Sequence, residues 1–130
     1  NKSKLKKAYS LDAADNCAPL FKTPDCCELF FKKNWDSAIE QYQGDVTRIY
    51  YEHNKNININ PIYNPVSMYF GKGLCWHFPC SLGCKKTKQI IDRRIKLLRK
   101  HEPKLLDRLL EIKNYKILYQ NQKYEITKLI

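Results

Sequence analysis

The chain has 130 residues, of which 43% are hydrophobic, so it is long enough for one folded domain and too apolar for a disordered tail. It has no apolar run near the roughly 20 residues of a membrane span, so no membrane segment is predicted. Cys26 and Cys27 are adjacent and cannot easily pair with each other, which favours reduced thiols in a cytoplasmic protein over disulfides. The net charge of +11 favours polyanionic partners such as RNA, DNA or phosphorylated ligands.

The first half of the chain predicts helices. Thr23 is a suitable N-cap and Pro24 suits the first helical position, so a helix is predicted to begin there. Its core face is expected to include Leu29, Phe30 and one cysteine. Apolar residues recur at helical spacing after Asp36, which can cap a second helix. The predicted segments are a frayed basic end at 1–7, a short helix and loop at 11–21, a helix at Thr23–Lys33 and a helix from Asp36 to about His53.

The second half of the chain predicts a loop, two more helices and a β-hairpin. Two Asn-Pro steps bias the backbone before them away from helix. At the end of the chain, apolar and polar residues alternate around Asn121-Gln122, which is typical of a hairpin. The predicted segments are a long loop at 54–65, a short strand or single helical turn at Val66–Phe70, a basic helix at Ser81–His101, a further helix from Pro103 and a hairpin at Tyr115–Ile130.

Together these segments predict a mainly α fold. We expect a single small domain over residues 1–130, with about five helices and a C-terminal β-hairpin. The common sequence motifs of hydrolases, NTPases and dinucleotide-binding enzymes do not occur. The pattern therefore leaves open whether the protein is an enzyme.

The stretch Cys75–Cys84 places three thiols and an imidazole within ten residues. Ser81 can cap the basic helix, which would put Cys84 at its third position and Cys80 just outside it. The positive end of a helix dipole favours thiolates, the form of cysteine that binds metals. This stretch is therefore the first candidate site in the chain.

A second thiol pair, Cys26-Cys27, lies in the first turn of the helix predicted to begin at Thr23. Two helix starts that both carry thiols predict one shared metal site. Neighbouring helical side chains diverge by about 100°, so only one of the adjacent pair is expected to be a direct ligand. The predicted metal-binding residues are Cys26, Cys27, His77, Cys80 and Cys84.

The sequence leaves the nature of this site open. Cysteine with histidine suits zinc, while several thiols without a fixed fourth ligand suit an iron–sulfur cluster, which we rank slightly ahead. An open metal position beside a free thiol would also suit sulfur transfer. Two other interpretations are cysteines that merely pack in a core and disulfides in a secreted domain. Cys17 and Cys75 lie outside both helix starts and are not predicted ligands.

The residues around both thiol groups resemble a known family. Thr23–Phe31 is similar to its P-x-C-C-x-x-F-F motif and His77–Cys84 to its H-x-P-C-S-x-x-C motif, in the same order and with a similar gap rich in Asn and Pro. This family is uncharacterised and largely archaeal, the domain of unknown function family 483. The resemblance implies a shared site at the thiols and His77 and a prokaryotic, cytosolic origin, but no particular reaction.

The basic helix predicts a different type of function. At about 100° per residue, Cys84, Ile91 and Ile95 share one face, and Lys and Arg side chains occupy the opposite face. Such a face suits the phosphates of RNA or DNA, although a solvated helix surface has the same pattern. Arg94 falls among the apolar residues and is a candidate anion-binding residue. The predicted nucleic-acid-binding residues are Lys85, Lys88, Arg93, Lys96 and Arg99.

Two functions are therefore predicted. The first is a cytosolic metal-binding protein whose Cys/His site joins two helix N-termini and holds an iron–sulfur cluster or zinc, with thiol or sulfur chemistry as an extension. The alternative is a non-enzymatic nucleic-acid-binding module with a structural zinc and a basic recognition helix. Its partner would be RNA or another polyanion.

Overall fold

The computed structural model describes residues 23–53 and 60–129, so the predicted segments 1–7 and 11–21 lie outside the described part. Helices dominate the described part, and a two-stranded antiparallel sheet follows them. The predicted mainly α fold with a C-terminal hairpin is confirmed. Within residues 23–53 and 60–129, no helix is both long and apolar enough to span a membrane.

The described residues form four α-helices, three short 3₁₀ helices and two strands. The 3₁₀ helices lie between α2 and α3 and between α4 and β1. The α-helices are α1 (Asp25–Tyr42), α2 (Thr47–His53), α3 (Lys85–His101) and α4 (Pro103–Leu110), the 3₁₀ helices are Pro61–Tyr63, Pro65–Phe70 and Glu111–Asn114, and the strands are β1 (Tyr115–Gln120) and β2 (Lys123–Lys128).

Helix α1 is longer than predicted, because it continues through Asn34 instead of ending before it. The Asn34 Nδ2 group donates to the Phe30 carbonyl oxygen at 2.8 Å, so this side chain bonds within the helix instead of capping a new one. The helix ends where Gln43 and Gly44 adopt positive φ angles of 55° and 83°. The predicted boundary near Asp36 is therefore wrong, and the chain turns at Gln43-Gly44.

Burial along α1 also differs from the prediction. Leu29 is 68% exposed, whereas Phe30 packs against the core and Cys27 is fully buried. Leu29 lies about 200° around the helix from Cys27, while Ala38 returns to the Cys27 face and is buried as well. The face of α1 that packs is therefore the one that carries Cys27.

Two hydrophobic clusters hold these elements together. The first is built from α1, α2, the second 3₁₀ helix and the hairpin, and the second from α3, α4 and the loop before α3. This loop contributes Leu82 to the first cluster and Leu74 and Cys75 to the second, so the cysteine-containing loop packs into both. The buried members are Tyr50, Tyr51, Val66 and Ile117 in the first cluster and Leu74, Cys75 and Ile91 in the second.

The predicted hairpin turn is confirmed. Asn121 and Gln122 have φ angles of 49° and 62°, and a two-residue turn with both φ angles positive matches the twist of the strands beside it. Tyr119 pairs with Tyr124 across the strands. Both rings pack against Tyr51 of α2, with centroids 5.3 and 5.5 Å away, so α2 holds the hairpin in place.

The Asn-Pro steps cap two of the 3₁₀ helices. Asn60 Oδ1 accepts the Ile62 N–H at 3.1 Å, and Asn64 Oδ1 accepts the Val66 N–H at 3.0 Å. The stretch Val66–Phe70 is therefore helical and not a strand. The predicted loop contains a short helix after residue 60, and its first six residues lie outside the described part.

Gly73→Ala is expected to lower the free energy of unfolding by about 1–3 kcal/mol. A Cβ atom at this position would lie 2.8 Å from Met68 Cα and 3.0 Å from the Met68 backbone nitrogen, so the backbone at one of the two residues would have to move. Gly83→Ala is the matched control, because a Cβ atom there meets nothing within 4 Å. Urea denaturation of both variants checks this prediction, and equal losses would contradict it.

Candidate metal centre

The N-terminus of α1 presents two adjacent thiols. Pro24 occupies the N-cap in place of the predicted Thr23, because its ψ angle of 143° is extended and the helix begins at Asp25. The Pro24 carbonyl oxygen accepts the Cys27 N–H at 2.9 Å. Cys26 and Cys27 are thus the second and third helical residues, in the first turn as predicted.

Cys84 stands at the N-cap of α3, because its ψ angle of 112° is extended and the helix begins at Lys85. The prediction that Ser81 caps this helix is wrong. Ser81 instead starts a turn through Leu82 and Gly83, and its carbonyl oxygen accepts the Cys84 N–H at 3.2 Å. This turn delays the start of α3, so Cys84 lies just outside the helix and not within its first turn.

The structure brings four thiols from these two segments together. Cys84 Sγ lies 3.9 Å from Cys26 Sγ and 3.7 Å from Cys27 Sγ, and the two adjacent sulfur atoms are 3.8 Å apart. With Cys80, the four sulfur atoms all lie within 4.8 Å of one another. The two helix starts therefore meet as predicted, and these four cysteines can hold a metal ion.

Cys26 and Cys27 converge although they leave the helix in directions about 100° apart. Side chains lean toward the N-terminus of a helix, and Cys84 lies beyond that end of α1. Thiols on different sides of the first turn can therefore reach the same point. The divergence of the two side chains carries neither thiol away from the site, because both sulfur atoms lie within 4 Å of Cys84 Sγ. That only one of the pair is a direct ligand stays a prediction.

Aromatic residues hold the loop before α3 against the first two helices. The Phe31 ring of α1 stacks on Phe78 with centroids 5.7 Å apart. The Tyr50 hydroxyl of α2 donates to the carbonyl oxygen of Pro79, which is buried. These contacts act on the two residues that precede Cys80, so they position its thiol beside the N-terminus of α1.

Polar groups surround the Cys27 sulfur atom. The Cys80 N–H donates to Cys27 Sγ at 3.3 Å, and the Thr87 hydroxyl lies 3.5 Å from the same atom. Thr87 is buried in the first turn of α3. Thr87 is not among the site residues predicted from the sequence, although its spacing of three residues from Cys84 places both on one face of the helix.

His77 does not join the four thiols, so the structure departs here from the predicted ligand set. Its Nε2 atom lies 2.9 Å from Thr87 Oγ1, and Thr87 separates the imidazole from Cys27. Burial, and then the charge of Arg94, lower the pKa of His77 to about 4, so the ring is neutral at pH 7. With its one proton on Nε2, His77 donates to Thr87, whose hydroxyl then donates to the sulfur.

The second ring nitrogen of His77 supports this proton assignment. Nδ1 is buried and has no hydrogen-bond partner among the described residues. An unpaired lone pair is better tolerated in a buried site than an unpaired N–H group. His77 therefore acts on the site through Thr87.

Three of the four thiols have shifted pKa values, and the shifts differ in sign. Burial raises the pKa of Cys27 well above its usual range and raises that of Cys80 to about 11. Burial also opposes ionisation of Cys84, but hydrogen bonds, first from Thr87 and then from Cys27 and Cys80, lower its pKa to about 7. The pKa of Cys84 is thus lowered, as expected at a helix start, whereas desolvation is the largest influence on the pKa values of Cys27 and Cys80 and raises both. A divalent cation can supply the charge that the buried thiolates need.

The remaining described cysteine belongs to the core. Cys75 is fully buried, and its thiol donates to the His77 carbonyl oxygen at 3.2 Å. Burial raises its pKa to about 11. All five cysteines of the described part are free thiols, so the disulfide interpretation has no support there, and Cys17 lies outside the described residues.

The predicted nucleic-acid-binding residues and the anion-binding candidate occupy different places on α3. Arg94 is partly buried, its Nη1 group donates to the Leu74 carbonyl oxygen at 2.8 Å, and its guanidinium lies 4.3 Å from the centre of the Trp76 ring. Arg94 thus contacts the loop before α3, and its role with anions stays a prediction. The five predicted nucleic-acid-binding residues are all exposed: Lys85, Lys88, Arg93, Lys96 and Arg99.

No family model, curated protein or solved structure matches the chain. The resemblance to the domain of unknown function family 483 therefore stays a prediction. Independently of it, the two motifs that carry the resemblance meet in space, since Cys26 and Cys27 of the first lie beside Cys80 and Cys84 of the second.

Proposed function

We propose that the four cysteines bind one zinc ion in a closed, structural site. The observation that carries this proposal is the spacing of the sulfur atoms. A zinc–sulfur bond of about 2.3 Å puts the corners of a tetrahedral site about 3.8 Å apart. The separations among Cys26, Cys27 and Cys84 are 3.7, 3.8 and 3.9 Å, which agrees with that geometry.

The same spacing argues against the iron–sulfur cluster that the sequence analysis ranked ahead. In a [4Fe–4S] cluster each thiolate binds a different iron, so the sulfur atoms surround the whole inorganic core. Four sulfur atoms within 4.8 Å of one another leave too little room for such a core. Four cysteines are also a common ligand set for structural zinc.

Four thiolates would occupy all four coordination positions of a tetrahedral zinc ion and leave none for water or substrate. We therefore assign the site a structural role and not a catalytic one. The ion would join residues as distant in sequence as Cys26 and Cys84, which are 58 positions apart, and such a link restricts the unfolded chain as a disulfide does. A reducing cytoplasm, the location we propose, would keep these thiols available to the metal.

The purified protein is expected to contain one zinc ion per chain, without iron or acid-labile sulfide. Metal analysis after anaerobic purification measures this, because air destroys many clusters. Exchange of the zinc for Co²⁺ is expected to produce the absorption bands of tetrahedral thiolate ligation. Iron with acid-labile sulfide would contradict the zinc assignment, and a metal-free protein with full stability would contradict a metal site altogether.

A matched pair of variants ties the metal to the four-cysteine site. Cys80→Ser is expected to lose most of the bound zinc, because a serine hydroxyl is a poor zinc ligand. Cys75→Ser is expected to keep one zinc per chain, since Cys75 lies outside the group although it is more deeply buried. Equal zinc contents in the two variants would show that the ion binds elsewhere.

A further inference from the structure

Helix α3 carries a continuous basic surface on the side away from the core. Eight of its seventeen residues are Lys or Arg and one is acidic. The acidic residue, Asp92, lies within the arc that these basic residues occupy, and its Oδ1 atom accepts a hydrogen bond from the neutral Tyr63 hydroxyl at 2.7 Å. The exposed basic residues of this helix, called the basic face below, are Lys85, Lys86, Lys88, Arg93, Lys96, Arg99 and Lys100.

The basic face is contiguous around the helix. Successive residues advance by about 100°, so these seven side chains span about 160° of the circumference. Thr87 and Ile91, both buried, lie on the opposite side. Seven basic residues and one acidic residue therefore share this side of the helix, which suits an extended polyanion better than a single small anion.

An exposed aromatic ring, that of Trp76, lies beside α3 at Arg94, which is about 80° around the helix from Lys86, the nearest residue of the basic face. Trp76 is 57% exposed, yet its Nε1–H group donates to the Gly73 carbonyl oxygen at 3.3 Å and its ring packs against the Arg94 guanidinium. These contacts orient the ring while more than half of its surface stays open to solvent. A held, exposed indole of this kind is a platform on which an unpaired base can stack.

We propose that α3 and the loop beside it bind a single-stranded nucleic acid, with phosphates along the basic face and one flexible base that reaches around the helix to stack at Trp76. Lys and Arg side chains neutralise phosphates without regard to sequence. Stacking on Trp76 requires an unpaired base, because the bases of a duplex already stack on one another. RNA and single-stranded DNA share this chemistry, and the experiment distinguishes them. The proposal needs α3 to be folded and does not depend on which metal the cysteines hold.

The first test measures binding of the metal-loaded full chain to labelled oligonucleotides over a series of salt concentrations. Single-stranded RNA, single-stranded DNA and duplex DNA are compared by fluorescence anisotropy. We expect single strands to bind more tightly than the duplex, with an affinity that falls by a log–log slope of about 0.7 per phosphate contact. The relative affinities of RNA and DNA identify the preferred strand. Tighter binding to the duplex, or no binding at low salt, would overturn the proposal.

Two variants with the same change in net charge test whether the position of the charge matters. Removing four charges from the basic face should reduce the salt slope by about 3, whereas removing four exposed charges elsewhere should leave it nearly unchanged. Circular dichroism verifies that both variants fold, and equal effects would overturn the proposal. The basic-face variant combines Lys85→Gln, Lys88→Gln, Lys96→Gln and Arg99→Gln, and the control combines Lys33→Gln, Lys113→Gln, Lys116→Gln and Lys123→Gln.

Trp76 provides a separate readout. Trp76→Ala should weaken binding of single strands by roughly 5-fold to 150-fold, while Trp76→Phe should keep most of the affinity, because phenylalanine can still stack. The chain has two tryptophans, so Trp35→Phe leaves Trp76 as the sole indole fluorophore. Its fluorescence should then be quenched when a strand binds. Unchanged fluorescence, or full affinity in Trp76→Ala, would overturn the stacking role.

Discussion

Cys84→Ser is expected to abolish the cooperative unfolding transition of the domain. Cys84 Sγ lies within 4 Å of both Cys26 Sγ and Cys27 Sγ, so the substitution removes one corner of the proposed zinc site. Structural zinc contributes roughly 10–16 kcal/mol of apparent binding free energy near neutral pH, which is as large as the whole stability of many domains. Urea denaturation followed by circular dichroism, with limited proteolysis, measures the loss.

Three further variants are compared with Cys84→Ser: a control outside the four-cysteine group and two variants within it. Cys75→Ser should cost only about 1–2 kcal/mol, because serine can also donate to the His77 carbonyl oxygen and the zinc stays bound. Cys26→Ser and Cys27→Ser should each behave like Cys84→Ser, since both sulfur atoms belong to the four-thiol group. A Cys84→Ser protein that unfolds cooperatively at the wild-type urea concentration would contradict the structural role of the site.

Lowering the pH from 6.5 to about 4 is expected to remove about 3 kcal/mol of stability through His77 alone. Burial, and then the charge of Arg94, lower the pKa of this imidazole from 6.5 to about 4 in the folded protein. The unfolded chain therefore takes up this proton at a higher pH than the folded chain. The stabilising contribution is complete above pH 6.5 and is lost as the pH falls through about 4.

His77→Gln isolates this contribution from other acid effects. The glutamine amide can still donate to Thr87, and it does not titrate. Thiolate protonation and metal release in acid affect both proteins, so the difference between their unfolding free energies reports on His77. Urea denaturation at pH 7.5 and pH 5.5, with the zinc content checked at both, should show this difference changing by about 1.3 kcal/mol. Parallel pH profiles would contradict the prediction.

The proposed site would link the two hydrophobic clusters. Cys27 lies on the face of α1 that reaches the first cluster through Phe30, and Cys84 lies at the start of the helix that carries Ile91 into the second. An ion bound by both cysteines would therefore couple the clusters directly. The large expected effect of Cys84→Ser follows from this position as much as from the strength of zinc binding.

The sequence by itself determined the features that depend on neighbouring residues. The helical spacing of apolar residues predicted α3 and α4, and Asn121-Gln122 predicted the hairpin turn. Both features are set by side chains only a few positions apart in the sequence. Two thiol pairs near helix starts predicted a shared site. The two pairs meet in space as predicted, although both N-caps differ from the expected residues Thr23 and Ser81.

Only the tertiary structure decided the composition and the electrostatics of the site. It placed both Cys26 and Cys27 beside Cys84 and put Thr87 against the Cys27 sulfur atom. It also placed Thr87 between the His77 imidazole and the thiols. Each of these relations joins residues from separate elements, so no local pattern contains it. The pKa shifts arise mainly from burial, and burial at one atom depends on every element packed around it. For the same reason helical spacing alone could not show which face of α1 packs inward.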